Sequence, residues 1–186
     1  MKQILLSIAI TLISLVGVTE VQAAKPNKKN KKTETVAPVV TIPEESYSVV
    51  TYTVDEMPAV ASINAALANY EHKNYFEWNC SLIVECKELV ENGMPSPAEM
   101  EVLNGFEDEL SKGLAGEGEL PNAIFFARIT HNGTRQLIWK VSKPKQAYDY
   151  LANVMKEDQY PRNFEFVIER DVDWKKTENL AKMVQK

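Results

Sequence analysis

Tyr75 to Lys87 reads YFEWNCSLIVECK. Its even positions, Phe76, Trp78, Cys80, Leu82, Val84 and Cys86, are all apolar. Its odd positions include Glu77, Asn79, Ser81, Glu85 and Lys87, with Tyr75 and Ile83 as exceptions. Strict alternation over such a length predicts a strand with one face on a core and the other toward water or a cover. A helix would scatter the six apolar residues around its circumference.

Upstream, Tyr47 to Val54 is β-branched and aromatic throughout, Asp55-Glu56 interrupts it, and Pro58 to Asn64 resumes in similar style. The pattern predicts an N-terminal β-hairpin. A helix through Val60, Ile63, Leu67 and Tyr70 competes, so residues 58–70 stay open between strand and helix. Downstream, Ser96-Pro97-Ala98-Glu99 carries a cap, a first-turn proline and a capping-box glutamate. Met100, Leu103, Phe106 or Glu107, Leu110 and Leu114 follow at helical spacing, and Gly116 and Gly118 end the run. Glu99, Glu101, Glu107, Asp108 and Glu109 read mostly as its solvated side.

Asn122 to Thr130 and Thr134 to Val141 flank His131-Asn132-Gly133, a strong hairpin signal. Arg135, Leu137, Trp139 and Val141 share one face of the second strand, and Thr134, Gln136, Ile138 and Lys140 the other. Ser142 is placed to cap a second helix, with Pro144 in its first turn and Ala147, Leu151, Val154 and Met155 as its stripe, Tyr148 alongside. Arg162 to Glu169 alternates again, with Phe164, Phe166 and Ile168 inward. Asp171-Val172-Asp173-Trp174 opens a last helix, Asp173 capping and Trp174, Thr177, Ala181 and Val184 facing in.

Strand, helix, strand, strand, helix, strand is the split βαβ order, so the expected fold is α+β: a ferredoxin-like βαββαβ antiparallel sheet with both helices on one face. The N-terminal β-hairpin and the C-terminal helix are additions to it. The opposite face is expected to carry Glu77, Ser81, Glu85, Glu165 and Glu169, with Lys140 and Arg128 beside them.

The N-terminus speaks to compartment. Lys2, an apolar run from Ile4 to Val18 and the small residues of Val21-Gln22-Ala23 form a secretory signal peptide, residues 1–23. The run is shorter than the roughly 20 residues a membrane span needs, so no stable span is expected after cleavage. Residues 24–45, with Lys25, Lys28, Lys29, Lys31 and Lys32 and three prolines, read as a disordered tether. Residues 46–186 read as one domain, and the protein as exported, periplasmic or secreted.

Charge and chemistry narrow the function by exclusion. Of 21 basic and 26 acidic residues, Lys2, the five tether lysines, Glu20, Glu34, Glu44 and Glu45 precede Ser46. The body therefore keeps 15 basic and 22 acidic residues, about −7, which argues against nucleic acid as a partner. Cys80 and Cys86 lie six apart on one strand, roughly 20 Å between α-carbons. A disulfide needs less than about 7 Å, so both are read as free thiols. Two histidines, His72 and His131, are too few for a histidine-rich metal site, and no phosphate loop, Gly-x-Ser-x-Gly, His-Glu-x-x-His or Cys-x-x-Cys is present. No cofactor, metal or catalytic residue is expected.

Four weak motifs in order carry a resemblance: Met57-Pro58 to Asn64; Asn92-Gly93-Met94-Pro95 before the capped acidic helix; Thr134-Arg135 to Ser142; and Asp171 to Trp174. Together, over roughly Tyr47 to Leu180, they resemble the bacterial domain-of-unknown-function family numbered 695. The resemblance leads one to expect arginine where Ser62 stands and an acidic, aromatic pair where Gln136-Leu137 stand. Some members are joined to a domain similar to the regulator B of ribonuclease E activity, a ferredoxin-like inhibitor, which implies a binding role by association.

The expectation for function is a non-catalytic interaction domain for a protein or glycan, with a two-fold homodimer among the options. Its contact surface is assigned to Glu77, Glu85, Lys140, Glu165, Glu169 and Trp174. The alternative is a carboxylate-dependent hydrolase of an envelope glycan or peptide. That alternative needs Glu77 and Glu165 facing each other across neighbouring strands. Nothing apolar in the sequence surrounds them to raise a carboxylate pKa.

Overall fold

A computed structural model describes residues 39–158 and 160–185. The expected signal peptide (1–23) and residues 24–38 of the expected tether lie outside the described residues. Among the described residues, no helix is long and apolar enough to cross a membrane.

Six strands of the described residues form one sheet: β1 (Tyr47–Val54), β2 (Met57–Asn64), β3 (Trp78–Glu85), β4 (Ala123–His131), β5 (Thr134–Val141) and β6 (Phe164–Arg170). Their order across the sheet is β1-β2-β4-β5-β3-β6, and every neighbouring pair is antiparallel. Three helices accompany them: α1 (Pro97–Ala115), α2 (Pro144–Glu157) and α3 (Glu178–Val184). The N-terminal hairpin is not an appendage. It extends the sheet through β2, which pairs with β4 from Ala59↔His131 to Ile63↔Ala127.

The open choice over residues 58–70 resolves as strand to Asn64, followed by a 3-10 turn at Ala65–Leu67. The hairpin turn decides it. Asp55 and Glu56 both take positive φ, 46° and 63°, the backbone that a two-residue hairpin turn demands. At the β4–β5 turn the same demand falls on Asn132 and Gly133, with φ 40° and 74°.

The apolar alternation of β3 faces the first core. Cys80, Leu82 and Val84 meet Leu103, Phe106, Leu110 and Leu114 of α1 and Ala147 and Leu151 of α2. Leu137, Trp139 and Val141 of β5 complete it, and the Trp139 indole N–H donates to Ser111 Oγ at 3.1 Å. Gly113 of α1 leaves room for α2: a Cβ there would collide with the Tyr150 ring.

Several local expectations are corrected. Ser96 caps α1, accepting the Glu99 N–H at 3.1 Å, but the Glu99 carboxylate does not reach back as in a capping box. It is buried and accepts from Lys87 N–H and from Arg162. Glu107 is buried too, so the acidic residues of α1 are not all on its wet side, whereas Met100 is exposed. Ser142 bonds to Asn122 and leaves the α2 cap position to Lys143. Tyr148 and Met155 are exposed.

A second core lies on the other face of the sheet. Ala61 and Ile63 of β2, Ile124, Phe126 and Ala127 of β4 and Ile138 of β5 meet Leu67, Phe76, Trp174, Leu180 and Ala181. Phe76 therefore belongs to this cover and not to the β3 alternation, which starts at Trp78. Val40 and Ile42, assigned to the tether, pack against the same cluster. The second face is thus covered over β2, β4 and part of β5.

Candidate functional site

The residues assigned to one contact surface separate into two environments. Lys140 and Trp174 are 0% and 2% exposed, so neither is on a surface. The C-terminal turn has closed over them. β6 ends at Arg170, Asp171 N–H donates to Glu77 O at 2.6 Å, and Trp174 takes φ 58°. That left-handed residue turns the chain back onto the sheet. Its indole N–H then donates to Phe76 O at 2.9 Å, and its ring stacks on Tyr70 at 27°.

Beneath that ring, Lys140 Nζ donates to Asn79 Oδ1 and to Asp171 Oδ2, each at 2.9 Å. It also lies 5.1 Å from the Trp174 ring centre and 5.6 Å from that of Phe126. Burial pushes the Lys140 ammonium down to about 8, against the pull of Asp171 in the other direction. Asp171, not Asp173, organises the turn: its carboxylate accepts the Lys176 N–H, while Asp173 is exposed and pairs only with Lys175. The arrangement is a buried brace, and Phe126 and Trp174, which cover it, also line a cavity of about 390 Å³ with Lys73, Lys175 and Lys182.

A second polar assembly lies under α1, and the residue patterns had not gathered it. Glu99 is held by Arg162 through two nitrogens, at 2.7 and 2.5 Å. These bonds keep its carboxyl at about 2, below the usual 4.5. Glu107 accepts from Arg128 at 2.9 Å. Arg135 stands nearby, buried, 3.9 Å from Glu107 and bonded to Asn104 Oδ1 at 2.8 Å. Three guanidinium groups thus share two carboxylates, and among the described residues the Nε atoms of Arg128 and Arg135 find no partner. Burial raises Glu107 and lowers Arg135 from their usual values. Arg128 therefore faces α1 and not the glutamate face. Ser62, where the resemblance leads one to expect arginine, is its ladder partner. A signal for Glu107 was present: it lies four residues after Leu103 and three before Leu110, on the stripe that packs inward.

The four glutamates remain on or near the surface, but as two pairs, Glu85 with Glu165 and Glu77 with Glu169, at opposite ends of β3. Glu165 pairs with Ile83, whereas Glu77 lies six residues further along at the opposite end of β3. Roughly 20 Å separates those positions, which removes Glu77 and Glu165 as an acid/base pair, since that chemistry needs at most about 9.5 Å. Glu77 pairs with Arg170 at 2.9 Å and Glu169 with Lys176 at 2.6 Å. Glu85 and Glu165 flank a shallow cleft of about 360 Å³, lined also by Ile83, Thr134, Asn163 and Phe164. Ile83 is 36% and Val167 48% exposed on this uncovered half of the sheet. On the β5 side of β3, Gln136 Nε2 donates to Ser81 Oγ at 2.8 Å. Among the described residues, no cluster of His, Cys, Asp and Glu has the makings of a metal site.

The open half-face is therefore an apolar centre with carboxylates at its margin. It offers contact area and negative charge. Among known proteins, a family model described as a family of unknown function (DUF695) matches residues 45–180. No curated protein and no solved structure matches the chain.

Proposed function

We propose, for a chain that belongs to the family of unknown function DUF695, a non-catalytic role: after export it binds a basic protein partner through the open half of its sheet. The observation that carries this is the pair Ile83 and Val167, both well exposed on an otherwise polar sheet face and bordered by Glu85 and Glu165. Apolar side chains in the middle of an acidic margin favour a partner that brings its own apolar anchors and lysine or arginine around them. The acidic excess of the body adds long-range attraction of the same sign.

The frame that presents this face is best read as a ferredoxin-like unit. The strands β4-β5-β3-β6, with α1 and α2, follow the βαββαβ order, and β1 and β2 lengthen that sheet past β4. Export rests on the signal-peptide pattern of residues 1–23.

The test is capture of envelope proteins by the full chain and by the double variant Glu85→Lys, Glu165→Lys. The wild type should retain a basic partner that the variant loses, with the circular dichroism spectrum unchanged. Equal capture by both overturns the half-face. If Glu85→Gln or Glu165→Gln instead removed turnover of a glycan or peptide, the carboxylate hydrolase would be the correct reading.

A further inference from the structure

A six-stranded open sheet has two free edges, and here they differ in kind. β6 carries Glu165, Glu169 and Arg170, charges of the sort that blunt an edge. β1 reads YSVVTYTV, eight residues without a charge, and Val49 within it is 70% exposed. Among the described residues it pairs only with β2.

The turn chemistry fixes which backbone groups are free. Asp55 and Glu56 form a two-residue hairpin turn, so its flanking pair, Val54 and Met57, exchanges both backbone bonds. At the other end, Ala65 N–H donates to Ser46 O at 2.7 Å, in the same parity. Even-numbered residues of β1 therefore bond to β2. The N–H and C=O groups of Tyr47, Val49, Thr51 and Thr53 point away from the sheet.

Charge selects the occupant. Glu44 and Glu45 precede the strand, and Asp55 and Glu56 follow it. A second copy pairing antiparallel about Val50 would set Glu45 against Asp55 and Glu44 against Glu56, at both ends of the ladder. Like charges directly opposite are destabilising. We propose that the β1 edge receives an extended protein segment of β-branched residues with lysine or arginine at both ends, added as one more strand. This surface lies at the opposite edge of the sheet from the half-face of Ile83 and Val167 and does not rest on it.

The experiment is an amide NMR titration of the full chain with the peptide Lys-Lys-Val-Thr-Val-Thr-Val-Lys-Lys. The amides of Val49, Thr51 and Thr53 should shift and exchange more slowly. The same peptide with glutamates for lysines should bind at least about tenfold more weakly. Thr51→Pro removes an outward N–H that the native ladder does not use, so the fold should persist while binding is lost. Val49→Lys keeps every backbone donor and adds the wrong charge, and it should weaken the same peptide, covering the case in which the proline variant does not fold. Unchanged binding by folded Thr51→Pro, or by Val49→Lys, overturns the proposal. So does equal affinity for the glutamate peptide, or shifts confined to Ile83 and Val167. Concentration-dependent self-association that Thr51→Pro abolishes would make the occupant a second copy, and also overturns it.

Discussion

Lys140 Nζ and Asp171 Oδ2 meet at 2.9 Å beneath the Trp174 ring, joining the C-terminal end of β5 to the turn after β6. A buried ion pair need not stabilise relative to apolar residues of the same shape, but a broken one is costly.

Asp171→Ala is accordingly expected to destabilise the domain by about 3–5 kcal/mol, because it strands an ammonium that has only Asn79 and two aromatic rings for company. The double variant Lys140→Met, Asp171→Leu should recover much of the loss. Urea denaturation followed by tryptophan fluorescence decides it. A cost for Asp171→Ala under about 1 kcal/mol would mean that the turn is not braced in this way.

The Glu99–Arg162 bonds give an acid-sensitive element. Glu99 is held at about 2 in the folded chain against a usual 4.5, chiefly by the Arg162 hydrogen bonds. A carboxylate depressed by folding contributes stability above its unfolded value, and that contribution is lost as pH falls through the folded one. The Glu99 share is therefore complete above pH 4.5 and disappears toward pH 2. Arg162→Gln should flatten the stability profile in that window while lowering stability at pH 7. Parallel profiles for wild type and variant would contradict the assignment.

Much of the framework was legible because it depends on local pattern. The alternation read over Tyr75 to Lys87 formed between Trp78 and Glu85, and the Ser96-Pro97 start of α1 and the Asn132-Gly133 turn formed as read, since each acts within a few residues. The face of each β5 residue was also right, since a strand has only two. What could not be read is what covers a face. Lys140 has the correct orientation for the outer surface, yet three distant segments, around Phe76, Trp174 and Phe126, close over it. Register between β3 and β6 was equally invisible, because a slip of two residues preserves both alternations and still keeps the glutamates outward. Only the pairing Ile83↔Glu165 separates Glu77 from Glu165. The arginine–glutamate assembly needs five residues from four segments, and no spacing rule links them.

The cysteines should label in sequence. Both are free, Cys80 buried and Cys86 partly exposed. Burial pushes the Cys80 thiol up to about 12, so almost no thiolate exists at neutral pH. Iodoacetamide on the native protein should modify Cys86 alone, and both after denaturation without reductant. Intact mass shows this directly, and a species two mass units light that resists labelling would contradict the placement of β3.

Leu82 and Ile83 are neighbours with opposite fates, and they separate folding from binding. Leu82 is fully buried among α1 and α2 side chains, whereas Ile83 looks out on the open half-face. Leu82→Ala should cost about 3 kcal/mol or more, by lost transfer energy and the cavity left behind. Phe166, its ladder partner, is only partly buried beside Tyr148. Phe166→Ala should therefore fall below the roughly 3–5 kcal/mol usual for a core phenylalanine. Ile83→Lys places a charge in water and should stay within about 1 kcal/mol. It should still weaken capture of a basic partner, since it removes an apolar anchor and adds a repelling charge. Denaturation midpoints and capture measured on the same three variants give four expectations at once. A midpoint for Ile83→Lys as low as that of Leu82→Ala would mean that this face is covered and the binding surface lies elsewhere. A normal midpoint with undiminished capture would keep the fold as described and remove Ile83 from the contact.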